Sequence, residues 1–167
     1  MAKDSSFDVV SECDLQEVDN AYQQSVKALG QRYDLKDSGS SIAFDKSLKT
    51  FTVIAPSDFV KGQVIDILNT HLIRRLGEDG MKFVKWGKNE EASGGKVRCV
   101  GAIANGLDQD TAKAINRDIK AQKFKVKAQI EGDKVRVSAP KRDELQAVIG
   151  FLREQDYGVP LQFTNYR

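Results

Sequence analysis

Residues 125–145 read as strand, tight turn, strand, proline and helix start. Val126, Ala128 and Ile130 alternate with Lys125, Lys127 and Gln129, and after Gly132-Asp133 the residues Val135 and Val137 alternate with Lys134, Arg136 and Ser138. Strict alternation predicts strands with one buried and one wet face. Gly-Asp between two such runs predicts a two-residue hairpin turn, with Glu131 facing Lys134 across it as a cross-strand ion pair. The same unit occurs 84 residues earlier: Val53, Ala55, Pro56, Val64, Ile65 and Leu68 fall on Val137, Ala139, Pro140, Val148, Ile149 and Leu152 without a gap. An offset of half the chain points to an internal duplication.

Each half then reads as strand–helix–strand–strand–helix–strand. In the first half, Phe7 opens a short strand, and Asp14 with Glu17 three residues on predicts a capped helix carrying Leu15, Val18, Tyr22, Val26 and Leu29, with Gly30 as its stop. Strands over 42–44 and 48–54 turn near Asp45-Lys46-Ser47. A helix after Pro56-Ser57 buries Phe59, Val64, Ile65, Leu68, Leu72 and Leu76 and closes at Gly77. Residues 81–85 are the last strand of this half, and 89–95 a polar, glycine-containing linker. The second half has strands over 96–103 and 159–166, a helix capped by Asp108 or Asp110, the hairpin described above, and a final helix stopping near Gly158. The simplest fold is α+β: a tandem of two ferredoxin-like (βαββαβ) domains, residues 1–90 and 91–167, each a four-stranded antiparallel sheet with two helices on one face. Residues 1–6 read as a loose polar tail.

Composition narrows the partners. Of 167 residues 40% are hydrophobic and 30% charged, which suits a globular chain, and the net charge is only +2, so any basic patch must be local. No apolar run is long enough for a membrane span or a signal sequence. Cys13 and Cys99 lie far apart, and two thiols in a reducing cytoplasm are expected.

The chemistry of catalysis is not legible. There is no phosphate loop and no dinucleotide fingerprint. His71, the one histidine, sits inside a helix and reads as structural. Two cysteines without further ligands make no zinc site. A non-enzymatic protein without metal or cofactor is expected. The positive signal is the wet hairpin face with Lys125, Lys127, Lys134 and Arg136. It is either a solvated surface or a place for phosphate contact, with Arg136 able to grip bidentately. No aromatic stands at the outward positions Lys134, Arg136, Ser138, Thr50, Thr52 and Ile54, so base stacking on this platform, the habit of RNA-recognition domains, is not expected. A second cluster is the loop Arg32-Tyr33-Asp34-Leu35-Lys36. There either Tyr33 packs as an anchor among solvated charges, or Arg32 and Lys36 bind a ligand. In the C-terminal stretch Leu161 and Phe163 read as core and Arg167 as mobile.

Phe7-Asp-Val-Val-Ser-Glu, Arg32-Tyr-Asp, Ala55-Pro-Ser-Asp-Phe, the hairpin, Lys141-Arg-Asp-Glu-Leu-Gln-Ala-Val-Ile and Pro160-Leu-Gln-Phe-Thr-Asn-Tyr-Arg together resemble the bacterial YajQ family over nearly the whole chain. The resemblance implies tandem ferredoxin-like domains that exchange their first strands, 7–11 and 97–103, between the two sheets. It also implies binding of a purine nucleotide such as GTP, ATP or cyclic di-GMP and signalling through a regulatory protein partner; the alternatives are an RNA-binding module using the basic sheet face, or a structural or interaction protein without a small ligand. Leu35-Lys36-Asp37 stands where members usually carry Phe-Lys-Gly, which removes one possible stacking ring.

Overall fold

A computed structural model describes residues 4–167. Residues 1–3, the start of the expected polar tail, lie outside the described residues, whereas Ser5 and Ser6 already belong to a strand. In chain order the elements are β1 (Ser5–Val10), α1 (Leu15–Gln31), β2 (Ser41–Asp45), β3 (Thr50–Ala55), α2 (Asp58–Leu76), β4 (Val84–Trp86), β5 (Glu90–Ala92) and β6 (Lys96–Ile103). They continue as α3 (Gln109–Ala121), β7 (Lys127–Glu131), β8 (Lys134–Ala139), α4 (Arg142–Arg153) and β9 (Gln162–Thr164). The result is a mixed α+β chain with two antiparallel sheets and four helices among the described residues, compatible with two ferredoxin-like halves.

The chain divides into two compact units: the N-terminal segment ending at Glu12 together with Asn105–Arg167, and Cys13–Ala104. The sequence pattern alone divides it at residues 90 and 91. In the first unit the strand order is β7-β8-β1-β9, every pairing antiparallel. Phe7 and Val9 of β1 and Val135, Val137 and Ala139 of β8 point to one face. There they meet Ala112, Ile115 and Ile119 of α3 and Leu145, Val148, Ile149 and Leu152 of α4. These helix positions recur at three- and four-residue spacing, so each helix turns one apolar stripe to the sheet. Asp108 caps α3 by accepting the Thr111 N–H at 2.7 Å. Gly132 holds φ 62 at the first hairpin position, a conformation glycine adopts without steric cost.

In the second unit the order is β2-β3-β6-β4, with β5 also on β6. β6 is eight residues long, so its outer edge takes β4 opposite Gly101–Ile103 and β5 opposite Lys96–Arg98. This sheet therefore has five strands where four are expected, and Glu90–Ala92 in the expected linker are ladder residues. Phe51 and Val53 face Val18, Ala21 and Leu29 of α1 and Val64, Ile67, Leu68 and Leu72 of α2.

The repeat is visible in the fold. β3 and β8 start at Thr50 and Lys134, and α2 and α4 at Asp58 and Arg142, both pairs 84 residues apart, with the same alternating burial along both strands. Smaller expectations fail for local reasons. α1 runs through Gly30 to Gln31, because a helical glycine costs only about 1 kcal/mol. Phe59 lies in the first turn of α2 and is 75% exposed. A 3₁₀ turn over Gly80–Phe83 delays β4 to Val84, and α4 ends at Arg153, ahead of Gly158.

Candidate functional site

The wet face of the β7–β8 hairpin carries its cations on the side away from α3 and α4. Alternation alone places Lys134 and Arg136 there, but β1 decides what they do. Asp8 stands opposite Arg136 in the β1–β8 register and opposite Thr164 in the β1–β9 register. Its residue is 2% exposed, on a sheet face expected to be wet. Arg136 Nε donates to Asp8 Oδ1 at 3.0 Å, Asn165 Nδ2 donates to Oδ2 at 2.9 Å, and Lys134 Nζ lies 3.5 Å from Oδ2. Burial raises the Asp8 carboxyl pKa, but these hydrogen bonds and the charges of Arg136 and Lys134 outweigh it, leaving Asp8 below the ordinary carboxylate value. In turn, the hydrogen bond to Asp8 raises the Arg136 guanidinium.

Glu131 completes the cluster differently from expectation. It is the cross-strand neighbour of Lys134, yet its carboxylate pairs with Arg136 Nη1 at 3.7 Å, while Lys134 turns to Asp8. A buried carboxylate with two flanking cations costs less than one left with a single partner, so Asp8 draws both. Lys127, opposite Ser138, and Lys125, in the bend before β7, are exposed and make no ion pair among the described residues. The structure thus brings Lys134 and Arg136 together on Asp8 and leaves Lys125 and Lys127 to solvent.

Arg32 and Lys36 belong to the other unit. Arg32 closes α1 and grips Asp34 bidentately, at 3.2 and 2.9 Å. That hydrogen bond holds the Asp34 carboxyl below its usual value. Leu35, 2% exposed, is the residue that anchors this loop in the core. Tyr33 is 90% exposed and makes a cation–π contact with Lys36 Nζ, 5.6 Å from its ring centroid. The expected anchor is therefore out and its neighbour is in. The residue replacing the stacking ring of the resemblance is a core position.

A concave feature lies elsewhere on the first unit. A cavity of about 270 Å³ opens between the start of β1, the first turns of α4 and the segment after β9, lined by Ser5, Ser6, Arg142, Leu145, Gln146, Tyr166 and Arg167. Arg167 is held in place: its backbone N–H donates to Ser6 O at 3.0 Å and its carbonyl accepts the Ser6 N–H at 3.2 Å. Tyr166 rests beside the buried Phe7 at 6.1 Å between ring centroids. Alternation did not reveal these residues, because they gather from three separate segments.

His71 has its Nδ1 buried with no hydrogen-bond partner among the described residues. Desolvation, then the charges of Arg74 and Arg75, push its pKa down. Burial pushes the Cys13 thiol up to about 11 and also raises Cys99, which suppresses thiolate nucleophilicity. No helix among the described residues is long and apolar enough to cross a membrane.

The chain matches a family model described as nucleotide-binding protein YajQ-like over residues 5–167. It is 47% identical to a protein named nucleotide-binding protein from Alkaliphilus oremlandii, over 167 residues and the whole of both chains. It is 44% identical, again over the whole of both chains, to proteins of the same name from Desulfitobacterium hafniense and Bacillus cereus.

Proposed function

The chain belongs to the YajQ-like nucleotide-binding protein family, and on that premise we propose that it is a non-catalytic nucleotide-binding protein. In this reading it is a regulator that takes up a purine nucleotide and passes its occupancy to a protein partner. The observation that carries the reading is the family match, which spans both units rather than one. The surface chemistry suits an anionic, aromatic ligand. Exposed cations stand beside exposed rings at Lys36 and Tyr33, and at Arg142, Tyr166 and Arg167. The raised cysteine thiols, poor nucleophiles near neutral pH, are consistent with binding without turnover.

The arrangement around Asp8 favours a mononucleotide or dinucleotide over RNA on the basic sheet. Lys134 and Arg136 already share an internal carboxylate, so a polymer backbone would gain less from them than from unmatched cations. Of the hairpin cations, Lys125 and Lys127 remain for phosphate contact.

Equilibrium dialysis of the protein against GTP, ATP, cyclic di-GMP and a short RNA tests this. Saturable one-to-one uptake of a purine nucleotide at about 0.15 M salt, with the nucleotide recovered intact, is the expected result. Preference for RNA with a steep loss of affinity as salt rises would replace it with the RNA reading.

A further inference from the structure

We propose that the cavity between β1, α4 and the segment after β9 is the nucleotide site, and that it takes a single purine nucleotide, phosphate on Arg142 and Arg167 and base on Tyr166. This rests on the nucleotide-binding reading above and names its place.

Three properties of the cavity argue for it. First, its cations are uncommitted. Asp143 and Glu144 share the first turn of α4 with Arg142, yet neither Arg142 nor Arg167 makes an ion pair among the described residues. Arg32 and Arg136 are each engaged by a carboxylate. A guanidinium without a carboxylate is available for bidentate phosphate contact. Second, the ring is mounted. Tyr166 is 57% exposed, with Phe7 beside it at an interplanar angle of 33°, so Phe7 supports it while much of the ring is left open to a base. The Arg167 backbone, bonded both ways to Ser6, fixes the segment that presents it. Third, the remaining lining fits a nucleobase. Leu145 is buried and supplies an apolar floor, and the Gln146 amide supplies a donor and an acceptor.

Size sets the ligand class. A cavity of about 270 Å³ lies just under the usual range of small-molecule sites, roughly 300–1,000 Å³. It accommodates part of one nucleotide, with the rest over the open rim. A cyclic dinucleotide would leave its second nucleotide unsupported. GTP should therefore bind more tightly than cyclic di-GMP.

Calorimetric titration of the full chain with GTP, cyclic di-GMP and inorganic phosphate tests the site, using wild type, Arg142→Gln and Tyr166→Leu. Each substitution should weaken GTP binding by about tenfold, the loss of one charged hydrogen bond or one stacked ring, with the thermal midpoint kept. On the wild type, amide NMR shifts on adding GTP should centre on Arg142, Gln146 and Tyr166, a readout that does not depend on the variants folding. Unchanged GTP affinity in both variants, shifts centred elsewhere, phosphate binding as tightly as GTP, or tighter binding of cyclic di-GMP would overturn the assignment. If GTP binds but the cavity is silent, only the site falls. If wild type takes up no nucleotide, the nucleotide-binding reading falls with it.

Discussion

Asp8 accepts a hydrogen bond from Arg136 at 3.0 Å across 128 residues of sequence, on the face of a sheet that alternation marks as wet. Asp8 thereby engages two of the hairpin's cations, Lys134 and Arg136.

Asp8→Asn should make this measurable. The folded pKa of Asp8 lies below its unfolded value of about 3.9. Its contribution is therefore present above that pH and is lost as pH falls through the lower folded value. At neutral pH the substitution should cost ~1–3 kcal/mol, the loss of charged hydrogen bonds, discounted because Lys134 and Arg136 are about a third exposed. Urea unfolding from pH 7 to pH 2 should show a shallower acid limb in the variant than in wild type.

Tyr157 donates its hydroxyl to Asp118 Oδ2 at 2.8 Å, tying the segment after α4 to α3. Burial, then this hydrogen bond, pushes the phenol above its usual value. Tyr157→Phe should lose ~1.5 kcal/mol of stability, the lower end for a hydrogen bond to a charged acceptor. Spectrophotometric titration should then lack its latest-ionising tyrosine.

Of these two pairs, the hairpin side of the first was legible in the sequence and the acid side was not. Alternation placed Lys134 and Arg136 outward, and the 84-residue offset located β3, β8 and the starts of α2 and α4. Asp8 alternates with Phe7 and Val9 and could be assigned to the outward face. Its role requires knowing that β1 pairs with β8, a long-range contact that no local pattern encodes. Tyr33 and Leu35 show a second limit: in a loop there is no period to say which residue turns inward, and the larger ring turned out. The cavity of Arg142, Tyr166 and Arg167 is the third, since its lining converges only after the sheet has formed.

His71 should give a second pH dependence, of smaller range. Its folded pKa is depressed by desolvation and by Arg74 and Arg75. The unfolded chain gains a proton near pH 6.5 while the folded chain resists it, so stability is full above that pH and falls as pH drops below it. Replacing His71 by Gln should flatten the change in urea midpoint between about pH 7.5 and about pH 5, where an unperturbed imidazole changes its charge.

Strand pairing makes a prediction about fragments. Residues 1–90 end before β6, which pairs with β3, β4 and β5 in its sheet. This fragment should be unstable, because Phe51 and Val53 would lose the neighbouring strand that carries Cys99 and Gly101. Residues 13–104 include every strand of that sheet and should give the better-dispersed NMR spectrum of the two. A cooperatively folded 1–90 fragment would contradict this.

On the proposed function, this chain binds a purine nucleotide and leaves it unchanged. Calorimetric titration of the full-length protein with GTP at about 0.15 M salt, followed by chromatography of the recovered nucleotide, tests it most directly. A saturable one-to-one isotherm and intact GTP are the expected result. A flat isotherm for GTP, ATP and cyclic di-GMP alike, or release of phosphate that copurifies with the protein, would contradict it.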